Sequence, residues 1–465
     1  MGARASRSAA RALDAAAHRE DAPMIGPLVL IVACVVSVWS VLRAPAASAP
    51  ARAVSAIIVI STLIPVGSVR DQTMAMAALA TIVLLSLLAC GRREAATPWP
   101  PLWGAVLFAA FAVWLILRIL GQFSPAATLL QVGMLASAMA LAFVVPLLRA
   151  EDLRTVADTF LWLILAHTAY AALEQTGTVD AIWPLRVESL EKIDDRANVL
   201  LPALTGRSQS TFGHPIPFAV FASVAALVLL HATAQTRRPR YAGGVVVAAV
   251  ALALSGTRSA VVAVLAALVA YGLANLRWRR LLAMIAATGI LAIIALLVDL
   301  PTLLALDGRF ESSVSYIHRS LVVGSWDALW ARGEAAVVFG SGAGASAELF
   351  RAGIVRGASN LLYFDNAYVS LFALSGLVAL VLFCAVLARS LFGGALAIGG
   401  ATFIAVMGFS FDEQQWQIVL VLLAFCALLP RAFGTVSRPG AGLEGGDGAG
   451  HRGSGARRAT TTAET

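Results

Sequence analysis

Runs of about twenty apolar residues recur along almost the whole chain, and they constrain the fold more than any other feature. Of the 465 residues, 59% are hydrophobic and 13% are charged, whereas a soluble domain carries roughly 25% charged residues. A transmembrane barrel would show alternating segments of about ten residues instead. The sequence therefore predicts an all-α protein: a polytopic transmembrane helical bundle with a large, partly helical extracytoplasmic loop.

Two long polar loops, 176–215 and 301–365, interrupt the apolar runs. The candidate spans are 24–42, 53–69, 73–90, 102–120, 126–148, 157–175, 216–234, 241–257, 259–275, 281–300, 366–388, 391–409 and 417–432. The pair 53–69 and 73–90 is short and is split by Arg70–Asp71. Allowing for this weak pair, we expect about twelve spans.

The tails and short loops predict the organisation. Residues 1–23 are polar and rich in Arg and Ala without a cleavage site, so we expect a cytoplasmic tail rather than a signal peptide. The bundle spans 24–432, and the Gly-, Ala- and Ser-rich 433–465 reads as a disordered cytoplasmic tail. Segments 231–240 and 275–280 are strongly positive and should be cytoplasmic, which places both long loops outside.

The charge and the cysteines exclude several kinds of site. The net charge of +8 comes mostly from arginines in short loops and tails, which is typical of topology signals rather than a nucleic-acid surface. The cysteines lie within or at the ends of apolar runs, and no Cys-x-x-Cys occurs. We therefore expect no disulfide, no metal, no cofactor and no nucleic-acid partner.

Two clusters place arginines at the predicted outer surface. The segment GRSQSTFGHPIPFA (206–219) holds Arg207 and His214 just before a helix, and the turn LSGTRSA (254–260) holds Arg258 between two helices. One interpretation is a helix-entry turn with snorkelling arginines. The other is an anion site, because a guanidinium group forks onto phosphate oxygens.

A third cluster lies in the second long loop. The segment HRSLVVGSWDALW (318–330) contains Arg319 and Trp326 and predicts an amphipathic helix near the membrane interface. A helix that merely caps the bundle is the alternative. The following FGSGAG (339–344) predicts a flexible turn, and it lacks the Lys-Ser/Thr ending of a nucleotide-binding loop.

The fourth cluster is the pair Asp365–Asn366, where the second loop enters the membrane, with Gly376 inside the following helix. Polar residues at that depth are expensive unless they face water, a substrate or each other. Either residue could instead be a helix N-cap. An acid and several arginines at one membrane surface indicate a phosphorylated ligand.

Together these segments resemble the O-antigen ligase and O-antigen polymerase family of bacterial envelope enzymes, over roughly residues 200–390. The matching pieces are STFGHP (210–215), Thr257–Arg258, Arg319, Trp326–Leu329, Gly340–Gly344, and Asp365–Asn366 through Gly376. Two positions depart from the family pattern. Asp365 stands where the ligases usually carry His, and Ala379 stands where the pattern has Gly.

The resemblance implies a metal-independent glycosyltransferase in the bacterial cytoplasmic membrane, with an extracytoplasmic active site. A glycan on undecaprenyl diphosphate would be the donor, and a second glycan or a glycolipid the acceptor. Membrane lipids and other polysaccharide-assembly membrane proteins are the further expected partners. Polymerase and ligase both remain open.

The resemblance also implies roles for individual residues. Arg258 and Arg319 would hold the leaving diphosphate, and Asp365 would activate the acceptor. The predicted substrate-binding residues are Arg207, His214, Trp326 and Asn366.

Three alternatives stand beside this interpretation. A transporter or flippase would need polar residues near the midplane, and the candidates there are few: Arg118, Asp158, His167 and Glu174. A different lipid-phosphate-sugar glycosyltransferase usually shows paired acids in the first outer loop, where only Asp71 is present. A structural or partner-binding membrane protein is the third alternative.

Overall fold

All the regular secondary structure of the described residues is helical. The computed structural model describes residues 25–64, 72–92, 99–179, 182, 198, 200–201, 204, 206–274, 314–358, 361–412 and 415–434. The first nine helices are α1 (Ile25–Arg43), α2 (Ala49–Leu63), α3 (Gln72–Gly91), α4 (Trp103–Ile119), α5 (Pro125–Val144), α6 (Leu153–Gln175), α7 (Pro215–Thr236), α8 (Pro239–Ser255) and α9 (Arg258–Ala274). The others are α10 (Val314–Val323), α11 (Trp326–Trp330), α12 (Glu334–Phe339), α13 (Ser346–Arg351), α14 (Ala367–Ser370), α15 (Gly376–Arg389), α16 (Ala395–Met407) and α17 (Gln417–Leu428).

Seven helical segments of the described part are long and apolar enough to cross a membrane. They contain α1, α2, α3, α5, α6, α7 and the stretch Ala367–Phe392, while α4, α8, α9, α16 and α17 are shorter apolar helices. The all-helical multi-pass prediction is confirmed, and both members of the weak pair 53–69 and 73–90 fall on such segments. The total of about twelve spans stays a prediction, and the candidate 281–300 lies outside the described residues.

The helix boundaries follow from local sequence. Proline stands in the first turn of α2, α5, α7 and α8, where the missing N–H costs nothing. The Ser124 side chain accepts a hydrogen bond from the Ala127 N–H at the start of α5. Arg237 and Gly256 end α7 and α8 in the left-handed conformation, so only two residues separate each pair of neighbouring helices.

The centre of the bundle is formed by α7 and α17, which are apolar on all sides. Every residue of α17 is buried, as is 83% of the membrane window of α7. Phe160 of α6 lies between them, with its ring centroid 5.7 Å from Phe221 and 5.8 Å from Phe425. A helix that is hydrophobic all round belongs in an interior position, as these two show.

Alternating helix directions give the bundle two ends. At one end, Arg92 follows α3 and donates to the carbonyl groups of Leu42 and Ala44, each at 2.8 Å. At the same end His231 of α7 donates to the Phe433 carbonyl at 2.9 Å. We call this the arginine-rich end. The opposite end, where α6 ends and α7 begins, is the site end.

The membrane segment that follows Asp365–Asn366 is broken, which corrects the prediction of one continuous helix over 366–388. The α-helix α14 passes into a π-helical turn, Leu371–Ser375, and Gly376, the first residue of α15, adopts φ +78°. Such π turns are rare and often mark functional sites. Gly376 therefore lies at the break and not within a regular helix.

Five hydrogen bonds satisfy the carbonyl groups that the break exposes. The Phe372 and Ala373 carbonyls accept from the Arg332 guanidinium. The Ala373 and Leu374 carbonyls accept from the backbone N–H groups of Ser341 and Gly342 at 3.0 and 2.8 Å. The Ser375 carbonyl accepts from the Trp114 indole at 2.8 Å. The FGSGAG turn is thus held against the helix break, where the sequence predicted a flexible turn.

The loop before this helix has a small core of its own. Its apolar side chains pack on α14 and the π turn rather than on the main bundle, and they comprise Val322, Leu329, Ala345, Leu349, Phe350, Val355 and Phe364. The helical character predicted for this loop is present. The single amphipathic helix predicted for 318–330 is instead divided between α10 and α11 at Gly324–Ser325.

We expect Gly376→Ala to destabilise the protein strongly. A Cβ at this position would overlap the Val338 carbonyl and the Gly340 nitrogen, and overpacking costs roughly 1–3 kcal/mol. The backbone conformation, with φ +78° and ψ −177°, is one that essentially only glycine adopts, and it adds strain of about 1–3 kcal/mol for alanine. The matched control is Gly353→Ala, where φ is +69° and nothing lies within 4 Å. Thermal unfolding in detergent compares the two variants, and equal losses would contradict the crowding at the break.

Candidate functional site

The segment that precedes α7 is fixed to the end of α6. The Glu174 carboxylate accepts hydrogen bonds from the backbone N–H groups of Gln209 and Ser210 at 3.1 and 3.0 Å. Gln175 donates to the Gly206 carbonyl and to the Ser208 hydroxyl at 2.9 and 2.7 Å. Two adjacent polar residues of a membrane helix thereby hold the turn that the sequence singled out.

A buried histidine fixes the middle of the same segment. His167 Nδ1 lies 3.1 Å from the Ser210 hydroxyl and 3.3 Å from the Thr211 hydroxyl, and Thr211 also donates to the Thr62 carbonyl. Ser210 has φ +52°, an uncommon conformation for a residue with a side chain. These contacts hold the strained turn next to the first proline of α7.

Arg207 joins this segment to the turn between α8 and α9. Its Nε donates to the Ser255 carbonyl and its Nη2 to the Thr257 hydroxyl, both at 2.9 Å. Arg258 follows directly and begins α9 with a partly exposed side chain. Arg207 and Arg258 are therefore brought to one surface at the site end, although they are 51 positions apart in the sequence.

His214 is the N-cap of α7 and is neutral at physiological pH. Its Nδ1 accepts a hydrogen bond from the Ile216 N–H at 3.1 Å. Burial, together with the positive charges of Arg207 and Arg319, lowers the pKa of His214 to about 3. Because Nδ1 is an acceptor, the ring proton is on Nε2, and this nitrogen can only donate. His214 therefore lies close enough to both Arg207 and Arg319 to feel their charges.

Arg319 and Asp365 form an ion pair across the second loop. Arg319 Nε lies 3.3 Å from the Asp365 carboxylate, and the side chains are 30% and 16% exposed. Asp365 is therefore oriented by an arginine and stays accessible to solvent. Four of the predicted residues therefore lie in one cluster: Arg207, His214, Arg319 and Asp365.

Asn366, and not Asp365, is the helix cap. Its side-chain oxygen accepts from the Val369 N–H at 3.0 Å, while its amide donates to the Phe409 carbonyl at 3.1 Å. Both groups of this buried side chain are engaged with backbone. The cap interpretation thus applies to Asn366, which positions Asp365, and the carboxylate of Asp365 is left for other interactions.

Trp326 and Arg332 have positioning roles in the loop. The Trp326 ring packs on Phe372 with centroids 5.1 Å apart, which is a core contact. Arg332 binds the carbonyls of the helix break and also the Ser341 hydroxyl at 2.8 Å. Sequence reasoning missed Arg332, although a lone arginine after an amphipathic Trp-rich stretch was a visible signal.

The loop between α16 and α17 also reaches the site and was missed. The Ser370 hydroxyl and the Gln415 amide donate to the buried Asp412 carboxylate, each at 2.8 Å. The Trp416 ring lies 5.3 Å from the His214 ring. The signal in the sequence was FDEQQWQ (411–417), a polar run between two apolar helices, which resembles the Asp365 junction.

Comparison with known proteins agrees with this geometry. Residues 243–384 match the family model described as O-antigen ligase. This segment of the chain is similar to the O-antigen ligase domain. This confirms the family resemblance, and it indicates a glycosyltransferase-like membrane enzyme of polysaccharide assembly. No curated protein matches the chain.

The ligase domain contains only part of the cluster. Arg258, Arg319 and Asp365 lie inside it, whereas Arg207 and His214 precede it and Trp416 follows it. Within the described residues, no group of three or more His, Cys, Asp or Glu side chains could hold a metal ion. The described charge of the site is therefore carried by arginines and single carboxylates.

We expect Asn366→Ala to lower the stability of the protein, and Asp365→Ala to leave it nearly unchanged. Loss of an N-cap costs roughly 0.5–2 kcal/mol, and Asn366→Ala also breaks the bond to Phe409. The Asp365 pair is partly exposed, so it contributes little to folding. Thermal unfolding of the two variants checks this order. The reverse order would show that Asp365 holds the helix start.

Proposed function

We propose that the protein is a membrane glycosyltransferase that polymerises or ligates glycans carried on undecaprenyl diphosphate at the outer face of the cytoplasmic membrane. The observation that carries the proposal is the Arg319–Asp365 pair inside the O-antigen ligase domain, beside Arg207 and His214. This arrangement offers cations and one accessible carboxylate on the same surface. It suits a donor whose leaving group is strongly anionic.

The arginines would hold the diphosphate. Arg207 is already oriented by the Ser255–Thr257 turn, and Arg258 and Arg319 complete the set. Guanidinium groups keep their charge and bind phosphate oxygens through two parallel hydrogen bonds. They would stabilise the charge that develops on the leaving group without a metal ion.

Asp365 would take the proton of the acceptor. An acceptor hydroxyl attacks C1 of the donor sugar, a new C–O bond forms, and the bond from C1 to the phosphate oxygen breaks. The hydroxyl proton passes to the Asp365 carboxylate, and the lipid diphosphate leaves with the electron pair of the broken bond. His214 would donate from Nε2 to a phosphate or sugar oxygen, because its Nδ1 is committed to the backbone.

The ion pair also links donor binding to the base. In the structure Arg319 is shared with Asp365 at 3.3 Å. A bound diphosphate would compete for this guanidinium and weaken its hold on the carboxylate. The carboxylate would then be released to turn toward the acceptor hydroxyl when the donor is in place.

A transporter is less well supported, because the polar residues that the sequence predicted near the midplane are engaged within the protein, and Asp158 lies at the arginine-rich end instead. Arg118 donates to the Gly340 carbonyl at 3.1 Å. Asp158 accepts from Arg240 and Tyr241. His167 and Glu174 hold the segment before α7. These contacts are those of structural residues and not of a transport path.

The acceptor decides between polymerase and ligase. In a strain that lacks the protein, single lipid-linked repeats should accumulate if it is a polymerase. Full-length but unattached polymer should accumulate if it is a ligase. Normal surface glycan in the deletion strain would contradict both.

The arginine distribution supports an outward-facing site. At the arginine-rich end the described part places Arg43, Arg52, Arg92, Arg149, Arg154, Arg237, Arg238, Arg240, Arg389 and Arg431. The acids there are Glu151, Asp152 and Asp158. At the site end arginines and acids nearly balance. The positive-inside rule makes the arginine-rich end cytoplasmic.

Since α1 ends there, the chain would enter α1 from outside, which conflicts with a cytoplasmic tail at 1–23.

Single-cysteine labelling tests this orientation. A cysteine in place of Ser346, in the site-end loop, should react with an impermeant thiol reagent on intact cells. A cysteine in place of Arg238 should react only after lysis, in a background where the native cysteines are replaced by alanine. Labelling at Arg238→Cys alone would invert the arrangement.

We expect Arg258→Lys and Arg319→Lys each to slow glycan transfer by roughly 10²–10³-fold, as the loss of one preorganised donor does. Lysine keeps the charge and loses the planar fork. Arg240→Lys at the arginine-rich end, where the pair with Asp158 is exposed, is the control and should transfer normally. Transfer from a purified lipid-linked donor is measured at matched protein amounts. Near-normal rates in both site variants would remove the arginines from the mechanism.

Asp365→Asn should abolish most transfer while the protein stays folded. Asparagine keeps the size and hydrogen bonding of the residue but cannot accept the proton. Asp365→His should retain part of the activity, since imidazole can serve as the base. The exposed Asp327→Asn, on α11, is the matched control. Full activity of Asp365→Asn would limit the residue to orienting Arg319.

A further inference from the structure

One aromatic residue beside the charged cluster has no part in the chemistry described above. Trp416 ends the short connection between α16 and α17, and its ring is partly exposed. Its ring centroid is 5.3 Å from that of His214 and 5.8 Å from that of Phe411, whose ring plane is tilted by 30°. Trp416 therefore contacts two neighbouring rings.

The supporting rings are themselves held. Phe411 is only 5% exposed, and His214 is fixed by its bond to the backbone of Ile216. The loop that carries Trp416 is tied to the start of α14, through Asn366 to Phe409 and through Ser370 to Asp412. The tryptophan is thus preorganised rather than a mobile surface side chain.

Its position relates it to the bound donor. His214, which the Trp416 ring contacts, lies within reach of the charges of Arg207 and Arg319. The first sugar of the donor is bonded directly to the diphosphate. A diphosphate held by these arginines would therefore bring this sugar next to the cluster. Pyranose rings carry a face of C–H groups, and an aromatic ring covers such a face while leaving the hydroxyl groups free to bind water.

We propose that Trp416, supported by His214 and Phe411, forms a platform for the sugar ring that is attached to the leaving diphosphate. This inference rests on the proposed function and names the part of the donor that the residue recognises. Trp416 lies after residues 243–384, so it is outside the matched ligase domain. Arginines would recognise the phosphates, and the platform would add recognition of the saccharide.

Trp326 and Trp416 are both partly buried, and they differ in their neighbours. Trp326 packs on Phe372 within the small core of the second loop. Trp416 instead contacts His214, which belongs to the charged cluster.

Binding of two lipids separates the platform from the phosphate site. The probes are undecaprenyl diphosphate and the lipid-linked glycan extracted from cells that lack the protein. Their dissociation constants are measured for the wild type, Trp416→Leu, Trp416→Phe and Arg319→Lys in detergent. Trp162→Leu is the matched control, because Trp162 is 70% exposed on α6, away from the site.

Trp416→Leu should weaken binding of the lipid-linked glycan by roughly three- to tenfold and leave binding of undecaprenyl diphosphate unchanged. Trp416→Phe should keep most of the affinity, and Arg319→Lys should weaken both lipids. Unchanged binding of the bare lipid also shows that the variant is folded. Equal losses for the two lipids, or none, would overturn the platform. A wild type that binds neither lipid would instead contradict the proposed function.

Discussion

The carbonyl groups of the broken helix lie in an apolar segment where water cannot replace a lost hydrogen bond. Each unsatisfied group there would cost several kcal/mol. The Arg332 guanidinium, two backbone N–H groups of the Gly340–Gly344 turn and the Trp114 indole supply the missing donors. The break is therefore stable only when the second loop and α4 are docked against it, and this docking sets the position of Arg319 and Asp365.

The same logic explains the polar residues of α6. The strained turn before α7 is held by hydrogen bonds with Glu174, Gln175 and His167. In a membrane protein such residues are functional candidates by default. Here they act through position, because they hold Arg207 and His214 at the surface rather than contacting a ligand themselves.

The apolar runs were enough to predict the helical bundle, since in a membrane every backbone group must be satisfied locally. The order of the arginine motifs and the Asp-Asn pair predicted most of the cluster. The helix break was not predictable, because it depends on the contact between Gly340 and Gly376, which are far apart in sequence. Trp416 was missed for a similar reason, as its neighbour His214 comes from the start of α7.

The docked loop has a mechanical consequence. Arg332 and Ser341 donate hydrogen bonds to carbonyl groups of the membrane segment. Lifting the loop would leave those carbonyl groups without donors in an apolar medium. The loop therefore behaves as a fixed wall and not as a hinged cover. Under the proposed function, a lipid-linked donor would therefore reach the cluster from the side, between helices, and not by lifting of this loop.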